Sequence, residues 1–174
     1  METVYFKGDE WHTLGVFPQK GDKARYFSLV TSKWAEIDFC DFKGKRIVLN
    51  IFPSLDTEVC AMTVRKFNEM ASLLDNVIVI CVSMDLPFAA SRFCVAEGID
   101  NVVVASAFRS MGFGRKYGVE LIEGRFMGLL ARAVVVIDEN KRIVYSELVN
   151  EITSEPNYEE CYEAIMSLDG EQCN

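Results

Sequence analysis

Residues 47–52 (IVLNIF) constrain this chain more than any other stretch. Five of the six positions are large and apolar, with no polar residue at every second place, so the run reads as a strand covered on both faces. Pro53 ends it, because proline has no N–H to offer a neighbouring strand. Ser54, Asp56 and Thr57 then supply N-cap oxygens for a helix starting near Glu58. That order puts Cys60 in the first helical turn, beyond the C-terminal end of a central strand, where open α/β sheets carry their sites. A thiol in such a turn meets unpaired backbone N–H groups and the positive end of the helix dipole. Both favour the thiolate, which is the nucleophilic form. The alternative is a cysteine packed as a small hydrophobe.

The helix after Cys60 shows one apolar face, Phe67, Met70, Ala71 and Leu74, with Arg65, Lys66, Asn68 and Glu69 on its wet side. Asp75 and Asn76 are expected to end it. Residues 77–83 (VIVICVS) form a second buried strand, which completes a strand–helix–strand crossover with parallel pairing. A short helix over 88–97 closing at Gly98, a strand over 101–105 and a glycine-interrupted helix over 108–117 follow. A hairpin of 131–138 and 142–148 leads to a last helix over 157–168, with Tyr158, Cys161, Ile165 and Leu168 on one face. Ahead of the central strand, 3–7 and 11–14 alternate about Gly8 and Asp9 and read as a hairpin; 26–30 and 34–39 are further strands. The glycines at 112, 114 and 118 have the wrong spacing for a dinucleotide loop and follow no strand directly. With no repeat or linker, residues 1–174 are expected to form a single domain, with 1–15 as an N-terminal hairpin and 169–174 as a frayed tail. Hairpin, βαβ, then ββα is the plan of a thioredoxin-like α/β fold: a mixed central sheet, helices on both faces and an N-terminal β-hairpin extension.

Composition removes several functions. A net charge of −8 argues against a nucleic-acid partner. Apolar runs such as 133–137 are too short to span a membrane, and the first ten residues lack the charged-then-apolar order of a secretory signal, so a cytoplasmic location is expected. Cysteines stand at 40, 60, 81, 94, 161 and 173, with no CxxC and hence no dithiol motif or zinc knuckle. A chain that is 50% hydrophobic has core enough not to need structural disulfides. Cys81 and Cys161 read as core thiols, Cys173 as an exposed one, and Cys40 stays open. The single histidine, His12, reads as a surface strand residue, which excludes a His-rich metal site and leaves a Cys-His hydrolase dependent on one residue.

The octapeptide PSLDTEVC (53–60) has the form PxxxTxxC. With KRIVLNIFPSLDTEVC (45–60), SRFC (91–94) and ARAVVVIDEN (131–140), the chain resembles the bacterial thiol peroxidases, an atypical 2-Cys subfamily of the peroxiredoxins. The resemblance runs from about residue 3 to residue 168. It implies that Cys60 is the peroxidatic cysteine, whose thiolate attacks a peroxide oxygen and becomes a sulfenic acid. Thr57 matches the threonine whose hydroxyl accepts from the peroxide while donating toward sulfur; a hydroxyl can do both. Taken alone, Thr57 is a plain N-cap. Arg132 matches the arginine that holds the thiolate and polarises the peroxide, although an arginine ahead of a buried strand, read alone, belongs on the surface. Pro53 matches the ring that shields the pocket, and Cys94 the resolving cysteine. The resemblance further implies hydrogen peroxide and alkyl hydroperoxides as substrates, thioredoxin as reductant, a homodimer, and no metal or organic cofactor. Phe88, Phe93 and Met127 are expected to line an apolar entrance. Glu58 departs from the family, which has a small residue or proline there, and its charge opposes a nearby thiolate.

Three rival readings remain: a redox relay or sensor using the same disulfide, resolution through Cys161 or Cys173, and a binding module with an idle cysteine. Chain geometry adds a constraint on the Cys60–Cys94 pair. The two helices of a βαβαβ unit start at one sheet edge, yet Cys94 lies about 9 Å down its helix axis. Disulfides need Cα atoms within about 7 Å, so both segments are expected to loosen before the bond forms.

Overall fold

In the computed structural model, which describes residues 1–110 and 112–170, the chain opens with a hairpin of β1 (Thr3–Phe6) and β2 (Asp9–Leu14). Next come β3 (Ser28–Thr31), β4 (Glu36–Asp38), a 3₁₀ turn (Phe39–Phe42) and β5 (Arg46–Ile51). The crossovers are α1 (Glu58–Ala71), β6 (Val77–Ser83), α2 (Pro87–Glu97) and β7 (Val103–Ser106). The short α3 (Phe113–Tyr117) and β8 (Glu120–Leu121) lead to β9 (Ala133–Ile137), β10 (Ile143–Leu148) and α4 (Tyr158–Gly170).

Strand β5 is central because it can be: all of its residues are buried. It pairs parallel with β6 on one side and antiparallel with β9 on the other, within a sheet ordered β10-β9-β5-β6-β7-β3-β4. Its alternate side chains feed two cores. Ile47, Leu49 and Ile51 join a core with α3 and the N-terminal hairpin, whereas Val48 packs with α1, α2 and α4. This is a mixed-sheet, thioredoxin-like α/β architecture. The helices are divided unevenly, three on one face and α3 on the other, where the three-stranded β1-β2-β8 sheet supplies the remaining cover. No helix among the described residues is long and apolar enough to cross a membrane.

Several boundaries differ from the sequence reading. The hairpin turns at Lys7 and Gly8, both left-handed (φ 54° and 89°), so Asp9 belongs to β2. Trp34 was expected in a strand, but it sits at φ 64° in the turn after β3, and Asp38 ends β4 by capping the 3₁₀ turn. Helix α1 stops at Ala71, where the Ser72 hydroxyl donates to the Glu69 carbonyl. Helix α3 begins only after Gly112, whose φ of 93° no helix accommodates. At the C-terminus, α4 continues through Gly170, so Asp169 and Gly170 are helical where the sequence suggests a frayed tail; residues 171–174, Cys173 included, lie outside the described residues.

Asp169 is held in α4 by an ion pair. Arg46 starts the central strand with a side chain only 4% exposed, and its Nε and Nη1 donate to Glu139 and Asp169 at 2.7 and 2.5 Å. A desolvated guanidinium without partners is costly. Replacing both carboxylates (Glu139→Gln with Asp169→Asn) is expected to lower stability by about 2 kcal/mol, since both acids are themselves partly wet. The urea midpoint at unchanged slope measures this; no change would mean that solvent reaches Arg46.

Candidate active site

Pro53 leaves β5 buried, and the loop 53–57 carries the chain into α1. Thr57 occupies the N-cap position in an extended conformation (φ −104°, ψ 142°), but its side chain caps nothing. Its hydroxyl donates instead to the Ser54 carbonyl at 3.1 Å, leaving the oxygen lone pairs available as acceptors. Among the described residues no hydrogen bond joins Thr57 to Cys60. Cys60, in the first turn of α1, is fully buried.

Arg132 reaches Cys60 from the segment just before β9. Its Nη2 donates to Cys60 Sγ at 3.2 Å and its Nε to the Ile152 carbonyl at 3.0 Å. The residue is 1% exposed, against the surface position that an isolated reading gives it. Its Nη1 is buried and has no hydrogen-bond partner among the described residues. Arg132, Thr57 and Pro53 together line a cavity of about 320 Å³. The other walls are Phe6 and Lys7 from the hairpin, Glu58 and Val59 from α1, Phe126, Ile152 and Thr153. A fixed cation with a spare donor and a hydroxyl acceptor thus line one small, mostly apolar chamber, and the buried Cys60 thiol lies behind its wall in contact with that cation.

The expected entrance residues lie elsewhere. Phe88 stacks edge-on against Trp34 on the surface, Phe93 packs into the α1/α2/α4 core, and Met127 is exposed without lining the cavity. Phe6 and Phe126 take that place. They meet edge to face at 5.0 Å, with Trp11 stacked on Phe6, an association across 120 residues of chain that no local pattern reveals. Glu58 is exposed at the cavity.

Cys94 is not in this chamber. It sits half-buried on α2, lining a separate hollow with Thr31, Ser32, Lys33 and Val104. Burial raises its thiol pKa, opposed by a hydrogen bond from Ser32 and the charge of Lys33. Cys81 and Cys161 are buried core thiols, whereas Cys40 is exposed. His12 is a partly exposed residue of β2 whose Nδ1 lies 2.6 Å from Glu123.

The comparisons decide the family. Residues 19–162 match the Redoxin family model. A thiol peroxidase from Corynebacterium glutamicum is 50% identical over 165 residues, covering 95% of this chain and 99% of that protein. The chain belongs to the redoxin family and, within it, to the thiol peroxidases. The crystal structure of a peroxiredoxin-like protein from Aquifex aeolicus superposes with a TM-score of 0.92 at 42% identity, covering 97% of this chain and 98% of its own. A thiol peroxidase from Chromobacterium violaceum, at 21% identity, shares the fold with a TM-score of 0.88 over 99% of this chain and 98% of its own. By this membership the chain is a peroxidase.

Burial pushes the thiols of Cys81 and Cys161 in the peroxidase up to about 12. For Cys81 an Asn50 hydrogen bond pulls the other way; for Cys161 the nearby Glu147 adds to the rise. Both stay protonated in the folded chain after the unfolded chain has begun to ionise near about pH 8.5. Their contribution to stability is therefore complete below that pH and is lost as pH climbs toward 12. Urea midpoints from pH 8 to 11 are expected to fall, by up to about 1.4 kcal/mol per pH unit for each thiol. A Cys81→Ala, Cys161→Ala double variant should show a shallower fall; an unchanged slope would contradict the assignment.

Proposed function

We propose that the peroxidase reduces hydrogen peroxide and alkyl hydroperoxides through Cys60, resolves the product as an intrachain Cys60–Cys94 disulfide, and is recycled by thioredoxin. The observation that carries this reading is the 3.2 Å contact of the buried Arg132 Nη2 with Cys60 Sγ beside a mostly apolar cavity. Arg132 thereby holds a fixed positive charge against the sulfur that would attack the peroxide. The unpartnered Nη1 then donates to a peroxide oxygen, and the Thr57 oxygen accepts the peroxide proton.

Chemically, the Cys60 thiolate attacks the terminal peroxide oxygen and the O–O bond breaks. The alcohol or water leaves with the proton, and sulfur is oxidised to the sulfenic acid. Pro53 and Phe126 give the chamber apolar walls. The Cys94 thiolate next attacks the Cys60 sulfur, the S–O bond breaks, and hydroxide leaves to be protonated as water. Two electrons from a dithiol such as thioredoxin restore both thiols. Because Cys94 lines a different hollow, its helix and the Cys60 turn open locally for this step. Cys161 is a weaker candidate for resolution, since it is fully buried and its thiol is held protonated. A cytoplasmic location fits a cycle that needs reduced thiols. The family resemblance also implies a homodimer.

Peptide mapping without reductant, after one equivalent of peroxide, is expected to find Cys60 joined to Cys94 within one chain. A bond to Cys161 or Cys173 would replace the resolving step, and a free Cys60 thiol would overturn the reading. Replacing Arg132 with Met is expected to lower the rate constant for peroxide by about 10²–10³, the usual loss for one preorganised charge-stabilising donor. A change below about threefold in stopped-flow kinetics would remove Arg132 from the chemistry.

A further inference from the structure

The two segments that have to open for resolution are tied together at one side chain, Asp85. It lies between β6 and α2, two residues before Pro87 at the foot of the helix that carries Cys94. Its Oδ1 accepts from the Ser54 hydroxyl at 2.8 Å. Its Oδ2 accepts from the Leu55 backbone N–H at 2.7 Å and from the buried Ser83 hydroxyl at 2.8 Å. Ser54 and Leu55 belong to the loop that leads into α1 and Cys60. The Ser54 carbonyl is also the acceptor for the Thr57 hydroxyl, so Asp85 stands two hydrogen bonds from Thr57. Leu55 itself is anchored in the core beneath α1, α2 and α4. No other carboxylate in the described structure bonds this loop.

We infer that Asp85 is a positioning residue that clasps the Cys60 loop to the base of the Cys94 helix, and so sets how the Cys60 sulfenic acid divides between disulfide and over-oxidation. The inference rests on the Cys60–Cys94 cycle above. With the clasp closed, Thr57 is held at the chamber and Cys60 stays under Arg132, while Cys94 faces a separate hollow. A sulfenic acid kept there meets a second peroxide, which transfers one oxygen to sulfur and leaves as alcohol or water, giving the sulfinic acid. With the clasp open, Cys94 attacks first, and water leaves as the disulfide forms. Hydrogen bonds to a carboxylate are the strong ones, and three of them converge on this single group.

The test compares Asp85→Asn and Ser54→Ala with the parent enzyme by quenched-flow mass mapping. Asparagine keeps the shape but has one acceptor oxygen for three donors. Disulfide formation is expected to become about tenfold faster in Asp85→Asn and about threefold faster in Ser54→Ala, the scale of losing charge-assisted hydrogen bonds at a partly wet site. The sulfinic fraction at a fixed peroxide excess should fall, and the first step should slow as Thr57 loses its support. Hydrogen exchange should rise in 53–60 and 85–94 and not elsewhere, which a merely destabilising change would not produce. Variants that divide their sulfenic acid as the parent does would overturn the clasp. Should Asp85→Asn fail to fold, Ser54→Ala carries the same readouts. Should the parent form no Cys60–Cys94 bond, the cycle fails by itself, and the Leu55 amide still decides about Asp85: unchanged exchange there in both variants overturns it.

Discussion

A guanidinium that is 1% exposed has to be paired, and the way Arg132 is paired organises this molecule. Burying a charge costs several kcal/mol unless nearby groups replace its water. Here the replacements are the Ile152 carbonyl and the Cys60 sulfur. The first requires the segment after β10 to fold back over the arginine, which the Val149 N–H to Arg132 carbonyl bond helps to secure. The second requires α1 to begin where it does, with Cys60 in its first turn. Site and fold are therefore coupled through one side chain, in that the cation that handles sulfur also fixes how two distant segments approach it.

The segment over Arg132 needs support in turn, and the N-terminal hairpin provides it. Tyr5 exchanges backbone hydrogen bonds with Asn150 and Ile152, at 2.6 and 2.8 Å. The Glu151 carboxylate accepts from the N–H groups of Lys7 and Gly8 at the turn, at 3.1 and 3.3 Å, and also from Thr153. Both turn residues have positive φ, so their N–H groups converge on one acid. The hairpin is thereby part of the chamber: Phe6 and Lys7 form its wall because Glu151 holds the turn there.

What could be read from sequence follows a single division. Features written within one element were legible: the two-sided burial of β5, the apolar face of α1, Gly98 closing α2, and Cys60 in a first turn. Features that depend on which distant segments meet were not. The cavity wall combines Phe6, Phe126 and Ile152, three residues from three unconnected parts of the chain. Arg132 read alone is a surface arginine, and only the family resemblance placed it inward. Trp34 looked like a strand residue because aromatic residues favour strands, yet the turn after β3 required a left-handed position and took it. Asp169 looked like tail because its partner, Arg46, lies 123 residues away. Thr57 shows the finer limit: its type fits an N-cap, its backbone adopts one, and its hydroxyl turns to Ser54 instead.

Cys94 lines a hollow apart from the chamber of Arg132 and Thr57, which looks inefficient for an enzyme proposed to join Cys60 to Cys94, but suits what each proposed step asks of the sulfur. Attack on a peroxide wants Cys60 dry, beside a fixed cation. Resolution wants Cys94 ionised, and burial works against that in the closed state, raising the pKa of its thiol. One arrangement serves both poorly, because the desolvation that strengthens the Arg132–sulfur contact is the same kind of effect that raises the Cys94 pKa. Separating the thiols lets a single local opening reverse both conditions. In the proposed cycle, water would then reach Cys94 and relieve the burial that raises its pKa, while Cys60 would move already oxidised and no longer in need of Arg132. On that proposal the order of the two steps would follow from burial, without a second catalytic group to enforce it.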